Sequence, residues 1–317
     1  MRAIGFGKYG GPELLEIIEV PEVNARKGEI RIRIHAAAVN PTDIMSRIGA
    51  HFKHNKIDPF PHVPGMDVAG IVDQVGDGAD TNVNIGDRVI AMVVPKGIHG
   101  AYREQIVLKA NAVVHAPINT SHAEACTLPM NSLTARLSLD LMSLQASSVL
   151  AVTGSAGAYG GYIIQLAKND GLTVIADAAD KDYDLVQSLG ADYIVPRGPN
   201  VAAAIRKEFP EGVDGLADGA VQNEIVIDAV RDGGAFTAVR GFEGEPQRSI
   251  NFSQTFVRKI DGEFEKLDQL RKLTNEQKIT LRVADTFKPE DASVAHTRLE
   301  AGGTRGRLVI EFHPEDL

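Results

Sequence analysis

Cysteine is nearly missing from this chain: Cys126 stands alone among 317 residues. It can form no internal disulfide, and one thiol cannot build a cysteine-rich zinc lobe. A basic excess is also lacking, since 33 Lys and Arg face 42 Asp and Glu and the sequence pI is near 5.5. That balance, with no arginine-rich or aromatic-interleaved basic patch, argues against nucleic-acid or anionic-membrane binding. No apolar run reaches membrane-spanning length, and the opening MRAIGFGKYGGPELLEI lacks the basic flank and apolar core of a secretory signal. The expectation is a soluble, cytoplasmic protein without a membrane partner. Internal repeats and a low-complexity tail are missing as well.

What is present is an ordinary globular composition, 44% hydrophobic and 24% charged, at a length that favours two domains. The first part reads as β-rich. Glu29 to His35 (EIRIRIH) alternates apolar and polar residues with the period of a half-buried strand, and VAGIVDQV and RVIAMVV predict two more. Near residue 120 the pattern changes. Ser121, with Glu124 three residues on, has the spacing of a capping box. Strands and helices then alternate: strand Ser148–Thr153, helix Gly160–Lys168, strand Leu172–Ala176, helix Lys181–Leu189, strand Tyr193–Val195, helix Val201–Phe209. Strand Val213–Ala217, helix Val221–Arg231 and strand Gly234–Arg240 continue the order. Such alternation predicts a parallel sheet covered by helices on both faces. A polar helix over Val257–Leu273, a strand over Lys278–Val283, a helix over Ala292–Ala301 and a strand over Arg307–Phe312 follow. The last strand reads as a return to the β-rich domain.

The stretch VTGSAGAYGGYIIQLAK places Gly154, Ser155, Gly157, Ala158, Tyr159 and Gly160 between a buried strand and a helix. Small residues there let the backbone turn tightly and let a phosphate reach the N–H groups of the helix N-terminus. The spacing is G-x-x-G-x-x-G, with serine where the usual fingerprint has glycine, and its setting inside several βα units points to a dinucleotide pyrophosphate. The next strand end bears on the cofactor. Asp177 stands where an acid would grip the adenosine ribose and repel a 2′-phosphate. Lys181 and Arg197 stand where a base would bind that phosphate, Arg197 with two donors at once. As solvated surface charges they would do neither, so these residues leave NADH and NADPH open.

Seven segments, in this order, carry a resemblance: AAAVNPTDIMSRIG, PGMDVAGIV, GDRVIAMV, LPMNSLTA, GSAGAYGG, QSLGADYIV and GGTRGRLVIEF. They resemble the zinc-independent quinone oxidoreductase branch of the medium-chain dehydrogenase/reductase superfamily over nearly the whole length. The fold implied is α/β: a GroES-like β-rich catalytic domain over residues 1–121, completed by 252–317, plus a Rossmann doubly wound parallel sheet over 122–251. In zinc-dependent relatives a cysteine takes the place of Asn40 and a histidine that of Met66, and neither residue present is a zinc ligand of choice. His51, His54 and His62 fit no common tetrahedral spacing, and HFKHNKIDPFPH reads as an exposed loop, so no metal is expected. Without a Lewis acid to lower an alcohol's pKa, reduction of an electrophilic acceptor remains.

The activity implied is NADPH-dependent hydride transfer to a quinone or α,β-unsaturated carbonyl, with NADH open. The resemblance gives Asn40 the role of positioning substrate or nicotinamide, beside its plainer role as a turn former before Pro41. It assigns Thr134, Val239, Arg240, Gly241 and Arg305 to the cofactor, and leans to NADPH through Arg197. Met45 replaces a tyrosine that the branch often carries in its substrate pocket. Two other functions compete: a crystallin-like cofactor-binding structural or regulatory protein, and an enoyl reductase acting on a carrier-bound acyl chain. A homodimer is expected from the family, pairing sheets through an edge supplied by residues 231–240.

Overall fold

The computed structural model describes residues 1–50, 59–257 and 264–313. The chain divides into two compact units, Met1–Met130 with Ile260–Glu276 and Thr280–Leu317, and Asn131–Lys259 with Gln277–Ile279.

In the first unit, β1 (Arg2–Gly5) and β2 (Glu16–Glu19) form an antiparallel pair. The long strand β3 (Glu29–Val39) leads into a short helix, α1 (Pro41–Arg47), followed by β4 (Asp67–Val75), β5 (Arg88–Met92), β6 (Gln105–Lys109) and β7 (Val113–His115). Along β3 the side chains alternate between buried and half-buried as far as Ile34, the pattern of a strand with one covered face. From Ala36 onward every residue is buried, and there the strand is small and apolar on both faces. Ile30, Ile32 and Ile34 pack with Val68, Val89, Ile106 and Leu308 in the core of this unit. Each such side chain contributes about 1.5–3 kcal/mol on burial. Helix α2 (His122–Ala125) opens on Ser121, whose Oγ accepts the Glu124 N–H at 3.0 Å while Glu124 Oε2 accepts the Ser121 N–H at 2.8 Å. The capping box is therefore formed as its spacing predicts. Helix α3 spans Pro129–Met142.

The second unit holds β8 (Val149–Thr153), α4 (Ala158–Asn169), β9 (Thr173–Ala178), α5 (Tyr183–Ser188), β10 (Tyr193–Pro196), α6 (Val201–Glu208), β11 (Val213–Asp218), β12 (Val230–Ala238) and β13 (Asn251–Gln254). The six strands are all parallel, in the order β10-β9-β8-β11-β12-β13. The chain starts in the middle at β8, winds outward one way and then returns to wind the other, so the order reverses between β8 and β11. Doubly wound sheets bind ligands beyond the strand ends at such a point. The later elements belong to the first unit: α7 (Phe264–Asn275), β14 (Val283–Phe287), α8 (Ala292–Glu300) and β15 (Arg307–Glu311). Strand β15 pairs antiparallel with β3, Leu308 opposite Val39, in a sheet ordered β14-β15-β3-β4-β5-β7, with β6 also on β3.

Four local expectations change. Between Asn223 and Ala229 the chain forms a 3-10 turn rather than a helix over Val221–Arg231, because Val221 and Asn223 take positive φ and Val230 already enters β12. The strand expected over Lys278–Val283 begins only at Val283, where pairing with Arg307 starts; Gln277, at φ 59°, still belongs to a turn. Residues 231–240 are not an edge: Ala235 to Ala238 pair with β13, a short polar strand that takes the edge instead. His62 is not on an exposed loop. It is 4% exposed, bridges Phe6 and stacks on Phe60, while His51 and His54 lie outside the described residues. The polar helix expected over Val257–Leu273 is present as Phe264–Asn275, and residues 258–263 of that expectation lie outside the described residues.

Candidate functional site

The turn after β8 is built by close backbone contacts. Gly154 sits at φ 67°, and a Cβ there would lie 2.9 Å from the carbonyl carbon of Gly219 at the end of β11. A Cβ at Gly160 would lie 2.4 Å from the Gly154 carbonyl oxygen and 2.7 Å from Ser155 Cα, so the helix crosses the turn at a distance only glycine allows. Gly157 is the N-cap of α4 and offers no side chain of its own to cap the first turn, which includes Ala158, Tyr159 and Gly160. A helix start with a glycine cap, following a tight turn, is suited to an anion.

Ser155 is fully buried and locks the turn. Its Oγ donates to the Val152 carbonyl at 2.9 Å and accepts the Asp177 N–H at 3.2 Å, and its own N–H donates to Asp177 Oδ1 at 3.0 Å. Asp177, 2% exposed, thus turns its carboxylate into the turn, and burial raises its pKa. Among the described residues, its Oδ2 is buried without a hydrogen-bond partner. A ribose hydroxyl would supply the missing donor, so this end of the sheet fits a dinucleotide. On the neighbouring strand, Thr153 Oγ1 donates to Asp218 Oδ1 at 2.5 Å, and Asp218 Oδ2 accepts the Asn223 N–H at 2.7 Å.

Except for Thr134, the other expected residues of this unit follow the carboxyl ends of its strands. Lys181 is exposed in a 3-10 turn after β9. Arg197 follows β10, its N–H donating to the Ala178 carbonyl at 2.9 Å while its side chain is exposed. Val239, Arg240 and Gly241 follow β12, with Arg240 at φ 68° and Gly241 at φ 79°. Thr134 is on α3, where its carbonyl accepts from Ser138 Oγ at 3.1 Å. Ser138 Oγ lies 2.7 Å from the Tyr159 hydroxyl and 2.9 Å from Thr255 Oγ1. Burial pushes the Tyr159 phenol well up.

The first unit holds Asn40 and Arg305. Arg305, half-buried, lies in the loop before β15, and its Nη1 donates to the Thr304 carbonyl at 3.2 Å. Asn40 is fully buried as the N-cap of α1. Asp43 accepts its N–H at 2.8 Å, and Asn40 Nδ2 donates to Asp67 Oδ2 at 2.6 Å. Asp67 Oδ1 accepts the Met130 N–H at 2.7 Å, so one carboxylate joins the starts of α1 and α3. Burial lifts its pKa to about 7, against the pull of the Met130 N–H, Asn40 and Arg307. Asp43 also accepts from the Gly65 N–H and from Tyr102, whose hydroxyl lies 3.3 Å from His296 Nε2. Burial, helped by Arg47, depresses His296 to about 3. Met66 is fully buried, and Thr42 Oγ1 donates to its sulfur at 3.2 Å. Among the described residues, no group of three or more His, Cys, Asp or Glu could hold a metal ion.

Comparison with known proteins bears on both units. Residues 26–118 match the alcohol dehydrogenase GroES-like domain family, and residues 189–310 match the zinc-binding dehydrogenase family. The chain is 34% identical over 225 residues to a chloroplastic quinone oxidoreductase of Triphysaria versicolor, covering 68% of this chain and 67% of that one. The chain belongs to the medium-chain dehydrogenase/reductase superfamily. It is also 31% identical over 251 residues to a chloroplastic NADPH-dependent alkenal/one oxidoreductase of Arabidopsis thaliana, covering 76% of this chain and 63% of that protein. The solved quinone oxidoreductase of Coxiella burnetii shares its fold with a TM-score of 0.86 at 28% identity, covering 99% of both chains. The GroES-like and Rossmann-like sheets are thus those of the quinone oxidoreductases of this superfamily.

Three buried groups went unassigned in the sequence. Asp67 stands inside PGMDVAG, and its acid between apolar neighbours was the available signal, since a buried carboxylate requires donors. Asp218, closing the apolar strand VDGLAD, carried the same signal. The Ser155–Asp177 lock left no such trace, because it joins residues brought together only by the pairing of β8 with β9.

Proposed function

We propose that this superfamily member is an NADPH-dependent reductase of quinones or α,β-unsaturated carbonyls that works without zinc. The observation that carries the reading is the tight turn from Gly154 to Gly160, with glycine at the helix start, set where the strand order reverses. The Triphysaria and Arabidopsis relatives support the acceptor class, and the Arabidopsis relative supports the cofactor. In this reading the backbone of Gly157, Ala158, Tyr159 and Gly160 holds the pyrophosphate. Lys181 and Arg197 take the adenosine 2′-phosphate, for which their exposed side chains are suited. Asp177 is held inward by Ser155, which weakens its repulsion of that phosphate.

When bound, the reduced nicotinamide supplies the hydride. This reading assigns Thr134, Val239, Arg240, Gly241 and Arg305 to the cofactor, and to Asn40 the orienting of the reacting partners. Their work is to hold two reactants in attack geometry and to limit water, a contribution that reaches about 7–11 kcal/mol of a barrier in well-oriented reactions. Zinc independence is supported by residue chemistry: the Asn40 amide is committed to Asp67, and Met66 offers a buried thioether already holding the Thr42 hydroxyl. The same reading takes the protein as a cytoplasmic homodimer.

The assay is oxidation of NADPH by the purified protein against a panel of quinones and enones, before and after exhaustive dialysis against a chelator. Turnover of at least one acceptor, unchanged by the chelator, is expected. An inert panel removes the reductase reading, and loss of turnover restored by zinc removes its zinc-independent part.

A further inference from the structure

Asp67 opens β4 and is fully buried. Among the described residues its carboxylate has two hydrogen-bond partners: Oδ1 accepts the Met130 N–H at 2.7 Å, and Oδ2 accepts Asn40 Nδ2 at 2.6 Å. An asparagine amide has a donating and an accepting end of nearly the same shape, so its orientation is set by what surrounds it. Around Asn40 the surroundings are one-sided. Nδ2 faces two acceptors, Asp67 Oδ2 and, at 3.4 Å, the Ala38 carbonyl. At the start of α1 the side chains of Asn40 and Asp43 form a capping box. A reversed amide would set its oxygen against both acceptors, and leaving buried polar groups unmatched is costly. While Asp67 is a carboxylate, the Asn40 amide therefore has one orientation.

A proton on Asp67 Oδ2 would point at Asn40 Nδ2, donor against donor. Reversing the amide relieves that conflict but sets the Asn40 oxygen against the Ala38 carbonyl. Neither orientation then satisfies every group. We propose that Asp67 is a positioning residue for the reduction: its carboxylate locks the Asn40 amide in one orientation, and a proton taken up from water releases it. The inference rests on Asn40 orienting the reacting partners, as in the reading above. The charged groups that face Asp67 are Asp43 on α1 and Arg307 on β15, and Tyr102 and Cys126, both held neutral by burial, also face it. Burial and Asp43 raise its pKa, while the Met130 N–H, Asn40 and Arg307 lower it, leaving it at about 7. The lock therefore opens within the neutral range. A folded-state value raised from 3.8 to about 7 gives a stabilisation that is complete below the lower value and lost as pH rises through the upper one. Stability favours the protonated acid, and turnover needs the carboxylate.

With a non-ionising acceptor and both substrates saturating, wild-type kcat falls about tenfold from pH 8 to pH 6. In Asp67→Asn, which cannot ionise, kcat is about tenfold below wild type at pH 8 and flat across that range. A residue that only braced α1 against α3 would lower stability on substitution and leave the kcat profile as it is in wild type. A second readout needs no turnover and is made on the wild type, so it stands even where Asp67→Asn does not fold. In protein labelled with 15N-asparagine, the Asn40 side-chain NH2 resonances, identified by their absence in Asn40→Ala, shift with pH about a midpoint near 7. An Asn40 amide indifferent to pH, or a wild-type kcat slope that persists in Asp67→Asn, overturns the proposal. If the wild type reduces nothing in the panel, the reductase reading fails on that result, and the Asn40 titration alone decides the lock.

Discussion

Gly160→Val lowers stability by about 3 kcal/mol and abolishes dinucleotide binding. The atoms that a Cβ would meet are the Gly154 carbonyl oxygen at 2.4 Å, Ser155 Cα at 2.7 Å and the Gly154 carbonyl carbon at 2.9 Å. All three are backbone, so no side-chain rotation relieves the clash. Either α4 withdraws from β8, exposing residues of the buried run from Gly160 to Ala167, or the turn shifts. A shifted turn also breaks the bonds between Ser155 and Asp177 and moves the N–H groups that face the pyrophosphate. Gly157→Ala is the milder companion. Gly157 has φ −71°, which alanine adopts freely, and its Cβ would meet only the Gly154 oxygen, at 3.0 Å. Chemical denaturation and a fluorescence titration with NADPH read both effects. Wild-type stability and affinity in Gly160→Val would show that α4 does not cross the turn this closely.

Arg197→Glu weakens NADPH binding about 100-fold and leaves NADH within about threefold, because two charge-assisted bonds to a 2′-phosphate contribute about 2.7 kcal/mol after solvent screening. The side chain is exposed, and the fold uses Arg197 through its backbone N–H to Ala178, which the substitution keeps. Asp177→Asn behaves differently. That side chain holds the turn through the Ser155 N–H, so both cofactors weaken together. Parallel titrations with the two cofactors separate these patterns, and an equal loss of NADH and NADPH in Arg197→Glu would remove that residue from the phosphate site.

The architecture is legible in the sequence because its signals are local. EIRIRIH carries the period of a strand with one covered face, and VLAVT the continuous apolar run of a strand buried on both. The glycine turn is legible for the same reason, since Gly157 and Gly160 meet constraints set within seven residues of chain, although Gly154 is also pressed by Gly219 after β11. What failed depended on distant partners. Strand β13 is four residues long and mostly polar, and only its pairing with β12 makes it a strand, so the sheet edge was assigned one strand too early. His62 closes the segment HFKHNKIDPFPH, which reads as a loop, yet Phe6 and Tyr9, far away in sequence, pack against it. Asn40 was read as either an active-site residue or a turn former. Its place as N-cap, with its amide on Asp67, was fixed by a residue 27 positions away.

The most direct test of the central claim is a fluorescence titration of the wild-type protein with NADPH and, in parallel, with NADH. The account predicts saturable binding of NADPH, at least about tenfold tighter than NADH. Tighter binding of NADH would make Asp177 rather than Arg197 the residue that selects the cofactor, and binding of neither would contradict the assignment of the Gly154–Gly160 turn to a dinucleotide.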